Sequence, residues 1–168
     1  MLQIIAGNVL SLIASCTDAA SASSKTPKGV LGWQTVSQVV YGSSALLMGA
    51  PAAATQNLVN ILRNTLAISG KNTKAVQWVL AALALTLGLA FNQKGLWDIL
   101  PVGASLLYSL TVIFHGDDEK ILKIAFAICL VAYTVFNLYI LNIFGAVANG
   151  VVLATTFLFL IRDYRAKG

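Results

Sequence analysis

From Ala75 to Phe91 no charged side chain interrupts the chain, and from Leu96 to Phe114 only Asp98 does. Apolar runs of this length suit helices that cross a hydrocarbon core of about 30 Å. They do not alternate polar and apolar with a period of two, as the strands of a membrane barrel would. The fold class they dictate is all-α and polytopic. Composition agrees: 58% of the 168 residues are hydrophobic and 10% are charged, against about 25% charged in a soluble domain. That leaves too little polar surface to cover a globule in water.

Seven apolar segments follow one another: Leu2–Ala22, Gly29–Met48, Pro51–Ser69, Lys74–Phe91, Leu96–Phe114, Glu119–Ile140 and Asn142–Ile161. Their links are short and carry turn residues, among them Gly49-Ala50-Pro51 and Ser69-Gly70-Lys71-Asn72. His115 to Glu119 ends one helix and caps the next with acids. The first segment has no basic residue before it, as a secretory signal would require, so it reads as a retained transmembrane helix. With seven crossings, Lys25, Lys28, Arg63, Lys71, Lys74, Lys120, Lys123, Arg162, Arg165 and Lys167 all fall on one side, and Lys94 alone on the other. The excess of basic residues marks the cytoplasmic side. It predicts an N-terminus outside and a C-terminus inside, and it accounts for the net charge of +5 without nucleic acid as a partner.

A shift of 92 positions lays Lys28 on Lys120, Val39 on Val131, Tyr41 on Tyr133, Asn57 on Asn149, Val59 on Val151 and Leu66 on Leu158. The same shift lays segments one to three on five to seven and leaves the fourth over. It predicts two parallel triple-helix bundles joined by a linker helix: residues 1–70, then 71–94, then 95–168. Transporters of the SWEET type have this 3+1+3 arrangement, with the substrate held near the midplane between the repeats. Asn57 then lies about 9 Å, and Asn60 about 14 Å, into the third helix, and Asn149 lies at the depth of Asn57 on the seventh. Polar side chains at that depth face the bundle interior or a cavity. Asn57, Asn60 and Asn149 are therefore the candidate substrate-binding residues, with hydrogen bonding between helices as the competing explanation.

Three stretches carry a family resemblance: Asn60-Ile61-Leu62-Arg63, Leu100-Pro101-Val102-Gly103, and a last helix containing Gly150 that ends Leu160-Ile161-Arg162-Asp163-Tyr164-Arg165. In order and spacing they resemble the YgjV family of bacterial inner-membrane proteins, over essentially the whole chain. The resemblance implies a small polytopic protein of the inner membrane, broadly similar to SWEET and PQ-loop transporters, and brings no established substrate. SWEET-like repeats usually carry a proline in the first helix of each triple. Pro101 fills that place in the fifth helix, and the first helix has none, which departs from a symmetric rocking motion.

Other residues have two readings each. Arg63 either neutralises an anionic solute or snorkels to the cytoplasmic headgroups, and the second is the commoner behaviour. Asp18, taken as the one acid inside a helix, either couples protons or pairs with Arg63 or Lys25. Tyr41 and Tyr133 either form an outer gate or belong to the interfacial belt with Trp33, Trp78 and Trp97. His115, Asp117, Asp118 and Glu119 lie too close along one turn to make a metal site without a second segment. Cys16 and Cys129 sit in apolar runs and read as buried, inert thiols. No nucleophile–base constellation is visible, so the expectation is a non-enzyme without cofactor or metal, in contact with lipid and a small polar solute. One chain suffices for both repeats, and a homodimer is compatible. A non-transporting accessory or scaffold protein is the alternative.

Overall fold

The computed structural model describes the backbone of the chain except Ser23, Lys25, Gly116, Asp117 and Gly168, and its side chains except, in addition, those of residues 21, 22, 27, 119, 120, 123 and 158–167. The described residues form seven α-helices and no strand: α1 (Leu2–Ala22), α2 (Pro27–Leu47), α3 (Pro51–Ile68), α4 (Lys74–Ala90), α5 (Leu96–His115), α6 (Glu119–Tyr139) and α7 (Ile143–Lys167). Each expected segment is a helix. α2 begins two residues earlier than expected because the Thr26 hydroxyl accepts the Gly29 N–H and Pro27 occupies the first turn. Thr73 caps α4 through the Val76 N–H, Asp118 caps α6 through the Ile121 N–H, and Asn142 caps α7 through the Gly145 N–H.

Two of these helices, over Leu2–Ala20 and Leu96–His115, are long and apolar enough by themselves to cross a membrane. The others are shorter or more polar; α3 carries Gln56, Asn57, Asn60, Arg63 and Asn64. The surface still has a membrane protein's character. Leu12, Ile13, Val39, Leu46, Val79, Leu89, Ile128, Val147 and Val151 all point outward. Inside, eleven of the twenty buried apolar residues among those described are alanines. Bulk faces out and small residues face in, the pattern expected where helices pack by close backbone approach in lipid.

Neighbouring helices pack in sequence, α1 on α2 on α3, and α5 on α6 on α7. α4 lies against both α3 and α5; α3 also meets α5, and α1 meets α7. The two runs of three therefore close on each other at two seams, α3 with α5 and α7 with α1. Met1, the α2–α3 turn, the α4–α5 loop and the α6–α7 turn share one end of the bundle, here termed the N-terminal end. Contacts across that end support this: Asn8 bonds to the α6–α7 turn, and Leu100 packs against the cluster that holds Met48, Ala50 and Ile140.

The backbone carries the 92-residue shift further than the side chains do. Adding 92 to the bounds of α2 gives those of α6, and to Pro51, the start of α3, gives Ile143, the start of α7. In the α2–α3 turn Ala50 N–H donates to Ala45 O (2.8 Å) and Gly49 N–H to Leu46 O (3.0 Å). In the α6–α7 turn Asn142 N–H donates to Asn137 O (2.8 Å) and Leu141 N–H to Leu138 O (3.1 Å), the same pattern 92 residues on. Gly49 has φ 64°, and its counterpart Leu141 has φ 60° although it is not a glycine. The first helix departs from the shift. Ser15 bonds Tyr41, while Ser105 bonds Tyr133, so this hydroxyl pair does not keep the shift, nor do the bounds of α1 and α5.

Candidate functional site

The polar residues sort into two networks. The first staples α1 to α2. Ser11 and Ser44 hydroxyls lie 2.9 Å apart, and Ser44 donates to Gly7 O at 2.7 Å. Ser15 and Tyr41 hydroxyls are 3.0 Å apart, and the Ser37 hydroxyl donates to the Asp18 carboxylate. Asp18 thus spends its carboxylate on a neighbouring helix and pairs with no base among the described residues; Lys25 lies outside them. Tyr41 is turned to Ser15, and Tyr133 to Ser105 and Pro101 O. Both hydroxyls are directed to a neighbouring helix. The aromatic contacts at the helix ends belong instead to Trp97 stacked on Tyr139, with centroids 4.3 Å apart, and to Trp78 edge-on to Phe114.

The second network crosses from one run of helices to the other. On α3, Asn60 and Arg63 share a face because they are one turn apart. Asn60 Nδ2 donates to Gln38 Oε1 of α2 at 3.4 Å, and its Oδ1 accepts from Arg63 Nη1 at 3.2 Å. Arg63 Nη2 donates to Ser109 Oγ of α5 at 2.8 Å. Ser109 donates to Ser105 O at 2.7 Å, and Ser105 and Tyr133 of α6 are hydroxyl partners at 2.9 Å. Polar bonds so connect α2, α3, α5 and α6 through the interior. Arg63 is part of this chain, so its guanidinium turns inward to α5 instead of snorkelling to an end.

Above the network, at the N-terminal end, the centre is apolar. Ala45, Met48, Ala50 and Ala53 pack with Phe136 and Ile140 of α6, with Ala54 and Leu100 against them. Phe136 is 2% exposed. Met48 also reaches α1: a Cβ on Gly7 would lie 2.7 Å from Met48 Cε. The cluster draws on α2, the α2–α3 turn, α3, α5 and α6.

The other expected site residues are less connected. Asn57 donates to Ala53 O of its own helix at 3.0 Å, and its Cβ lies 3.4 Å from where a Cβ on Gly42 would be. It faces α2. Asn149 is half-buried on α7, and α3 and α7 make no close backbone approach among the described residues. The two asparagines are not brought together. Gln56 bonds a neighbouring helix, its amide donating to Ala84 O of α4 at 3.0 Å.

Three corrections concern residues outside this set. Asp18 is not the one acid inside the fold: Asp98 is fully buried, and its Oδ2 accepts the N–H groups of Gln93 and Lys94 at 2.8 and 2.9 Å. An acid two residues into a helix caps the loop folded back over it, and its place beside the Gln93-Lys94-Gly95 turn was the available signal. Cys16 is exposed, and only Cys129 is buried, because Cys16 falls on the outward face of α1. Ser105 and Ser109 belong to the site and were not singled out; their spacing of four from each other and from Pro101 puts all three on one face of α5. Of the acidic turn after His115, Asp117 and the Glu119 side chain lie outside the described residues, as do the side chains of Lys120, Lys123, Arg162, Arg165 and Lys167; among the described residues no group of three or more His, Cys, Asp or Glu is placed to hold a metal.

An outward apolar shell around an alanine-lined helical bundle, with its polar residues bonded inside, defines an integral membrane protein. The chain matches the family described as Imp-YgjV, bacterial inner membrane protein, over residues 5–167. It belongs to that family. Neither a curated protein nor a solved structure matches it.

Proposed function

We propose that the protein is a seven-span transporter of a small polar solute, working by alternating access between α1–α3 and α5–α7, with α4 as the linker. The observation that carries this reading is the polar network of Gln38, Asn60, Arg63, Ser109 and Tyr133 beneath the apolar closure around Phe136. A polar interior joining both runs, sealed at one end, is what a solute carrier needs while open to the other. The shared bounds and turn bonds of α2–α3 and α6–α7 support a parallel repeat about an axis along the membrane normal. In this reading the N-terminus is outside, the C-terminus is cytoplasmic, and the closure around Phe136 seals the outer side. Asn60 sits at the solute, while Asn57, turned to α2 in this state, and Asn149 on α7 are the further candidates on the two halves. Tyr41, Tyr133, Asp18 and Arg63 are the groups whose bonds change as it opens. One chain suffices, and it carries out no bond-making chemistry.

Uptake by proteoliposomes over a panel of small solutes tests this. Wild type should show saturable uptake of one class, and Asn60→Ala should lower it about tenfold, the loss of about 1.4 kcal/mol of binding. Asn57→Ala and Asn149→Ala belong in the same series; equal uptake by all three variants and wild type removes the asparagines from the site. Wild type that takes up nothing on the panel overturns transport. The alternative, an accessory or scaffold protein of the same fold, draws on one observation: Asn57 spends its amide on its own helix and packs against α2.

A further inference from the structure

Arg63 is a partly buried cation that meets no carboxylate among the described residues. Its guanidinium has five N–H donors; two bonds reach neutral acceptors, Asn60 Oδ1 and Ser109 Oγ, and the remaining donors have no partner among the described residues. The titratable groups that face it are the phenols Tyr108 and Tyr133. The described acids are committed elsewhere. Asp18 takes the Ser37 hydroxyl, Asp98 takes two loop N–H groups, and Asp118 caps α6. A charge on a membrane helix about 18 Å along from Pro51 is normally neutralised by a partner inside the protein. Here the partner positions hold amides and hydroxyls, which orient the guanidinium without neutralising it.

We infer that Arg63 is the binding group for an oxyanion, a carboxylate or a phosphate, carried by the solute. Two features suit that ligand. A planar guanidinium matches a carboxylate or phosphate through two parallel N–H···O bonds. Asn60 and Ser109, on α3 and α5, fix the plane from both sides, so the fork is oriented before the anion arrives. A neutral polar solute would leave the guanidinium charge uncompensated, which selects against it. This assignment deepens the transport reading by naming the substrate class, and it rests on that reading only for the word solute; anion binding itself is separate from transport.

The same chemistry is offered by an anionic lipid headgroup, and the test separates the two. The full chain, purified in neutral detergent, is melted with inorganic phosphate or succinate, with chloride at matched ionic strength as control, and in parallel with short-chain phosphatidylglycerol. The expected result is a saturable rise in Tm with phosphate or succinate, absent in Arg63→Gln and partly kept in Arg63→Lys. Ser109→Ala, which leaves the charge but loosens the guanidinium, should weaken apparent affinity about three- to tenfold, the equivalent of a hydrogen bond of about 1 kcal/mol. An equal rise in wild type and Arg63→Gln, or no rise with any anion, overturns the site. A rise with phosphatidylglycerol alone that Arg63→Gln removes overturns the solute assignment. Saturable Arg63-dependent binding of phosphate or succinate, together with no uptake in proteoliposomes, upholds the site and overturns transport.

Discussion

The two seams between α1–α3 and α5–α7 are built differently. Where α3 meets α5, a third helix backs the contact. Gly88 of α4 lets Val102 and Gln56 fill the space where its side chain would stand, Val59 packs against Leu80 and Ala84, and Arg63 bonds across to Ser109. Where α7 meets α1, no third helix packs on both among the described residues. There Asn8 grips the α6–α7 turn by its backbone, donating to Leu141 O at 2.8 Å and accepting from Phe144 N–H at 3.2 Å. The first seam combines interlocked bulk with a guanidinium bond; at the second, Asn8 makes the side-chain hydrogen bonds that cross it among the described residues. The difference teaches where the bundle parts with least loss: packed side chains resist separation continuously, while two hydrogen bonds break and reform.

The comparison is open to attack from the first seam. Gly88→Ala should destabilise most, by about 1–3 kcal/mol, because the new methyl meets β-branched Val102, which has no rotamer freedom to escape; a thermal melt in detergent reads it. If Gly88→Ala melts like wild type, the first seam is not tightly interlocked. At the second seam, Asn8→Ala removes two bonds and should cost about 1–2 kcal/mol. It should also raise hydrogen exchange at the Phe144 amide while leaving the α3–α5 contact unchanged. Exchange that rises equally at both seams would mean the seams open together. The smallest effect is expected at Leu141. Replacing it by glycine relieves a left-handed backbone that costs an L-residue about 1–2 kcal/mol and gives part of this back in chain entropy. Leu141→Gly should therefore raise Tm slightly, making the α6–α7 turn more like its counterpart at Gly49.

The existence and order of the helices were legible because apolar runs and turn residues are local signals. The seams were not. Nothing in the period of α3 says that Arg63 would meet Ser109 on α5 instead of a headgroup; the period fixes the shared face with Asn60, and tertiary packing chooses what that face meets. The 92-residue spacing recurs in the bounds and turn bonds of α2–α3 and α6–α7, and it fails at the hydroxyl pairs of the first helices, Ser15 with Tyr41 and Ser105 with Tyr133. The burial of Asp98 was not legible from partner side chains, because backbone N–H groups hold its carboxylate; the neighbouring Gln93-Lys94-Gly95 turn was the only local sign of it. The family match covers residues 5–167 and agrees with the membrane character that composition gave at the outset.

The alanine-lined interior has a consequence for how this chain tolerates change. In a water-soluble protein, outward positions accept almost anything and inward positions demand bulk. Here the map is inverted. Outward positions such as Val79 and Ile128 ask only for a lipid-compatible side chain of any shape. Inward ones such as Ala14, Ala50 and Ala84 leave no volume for one more methylene between neighbouring backbones. A saturation scan of viability would trace the bundle axis as a line of positions that admit glycine and serine and refuse leucine.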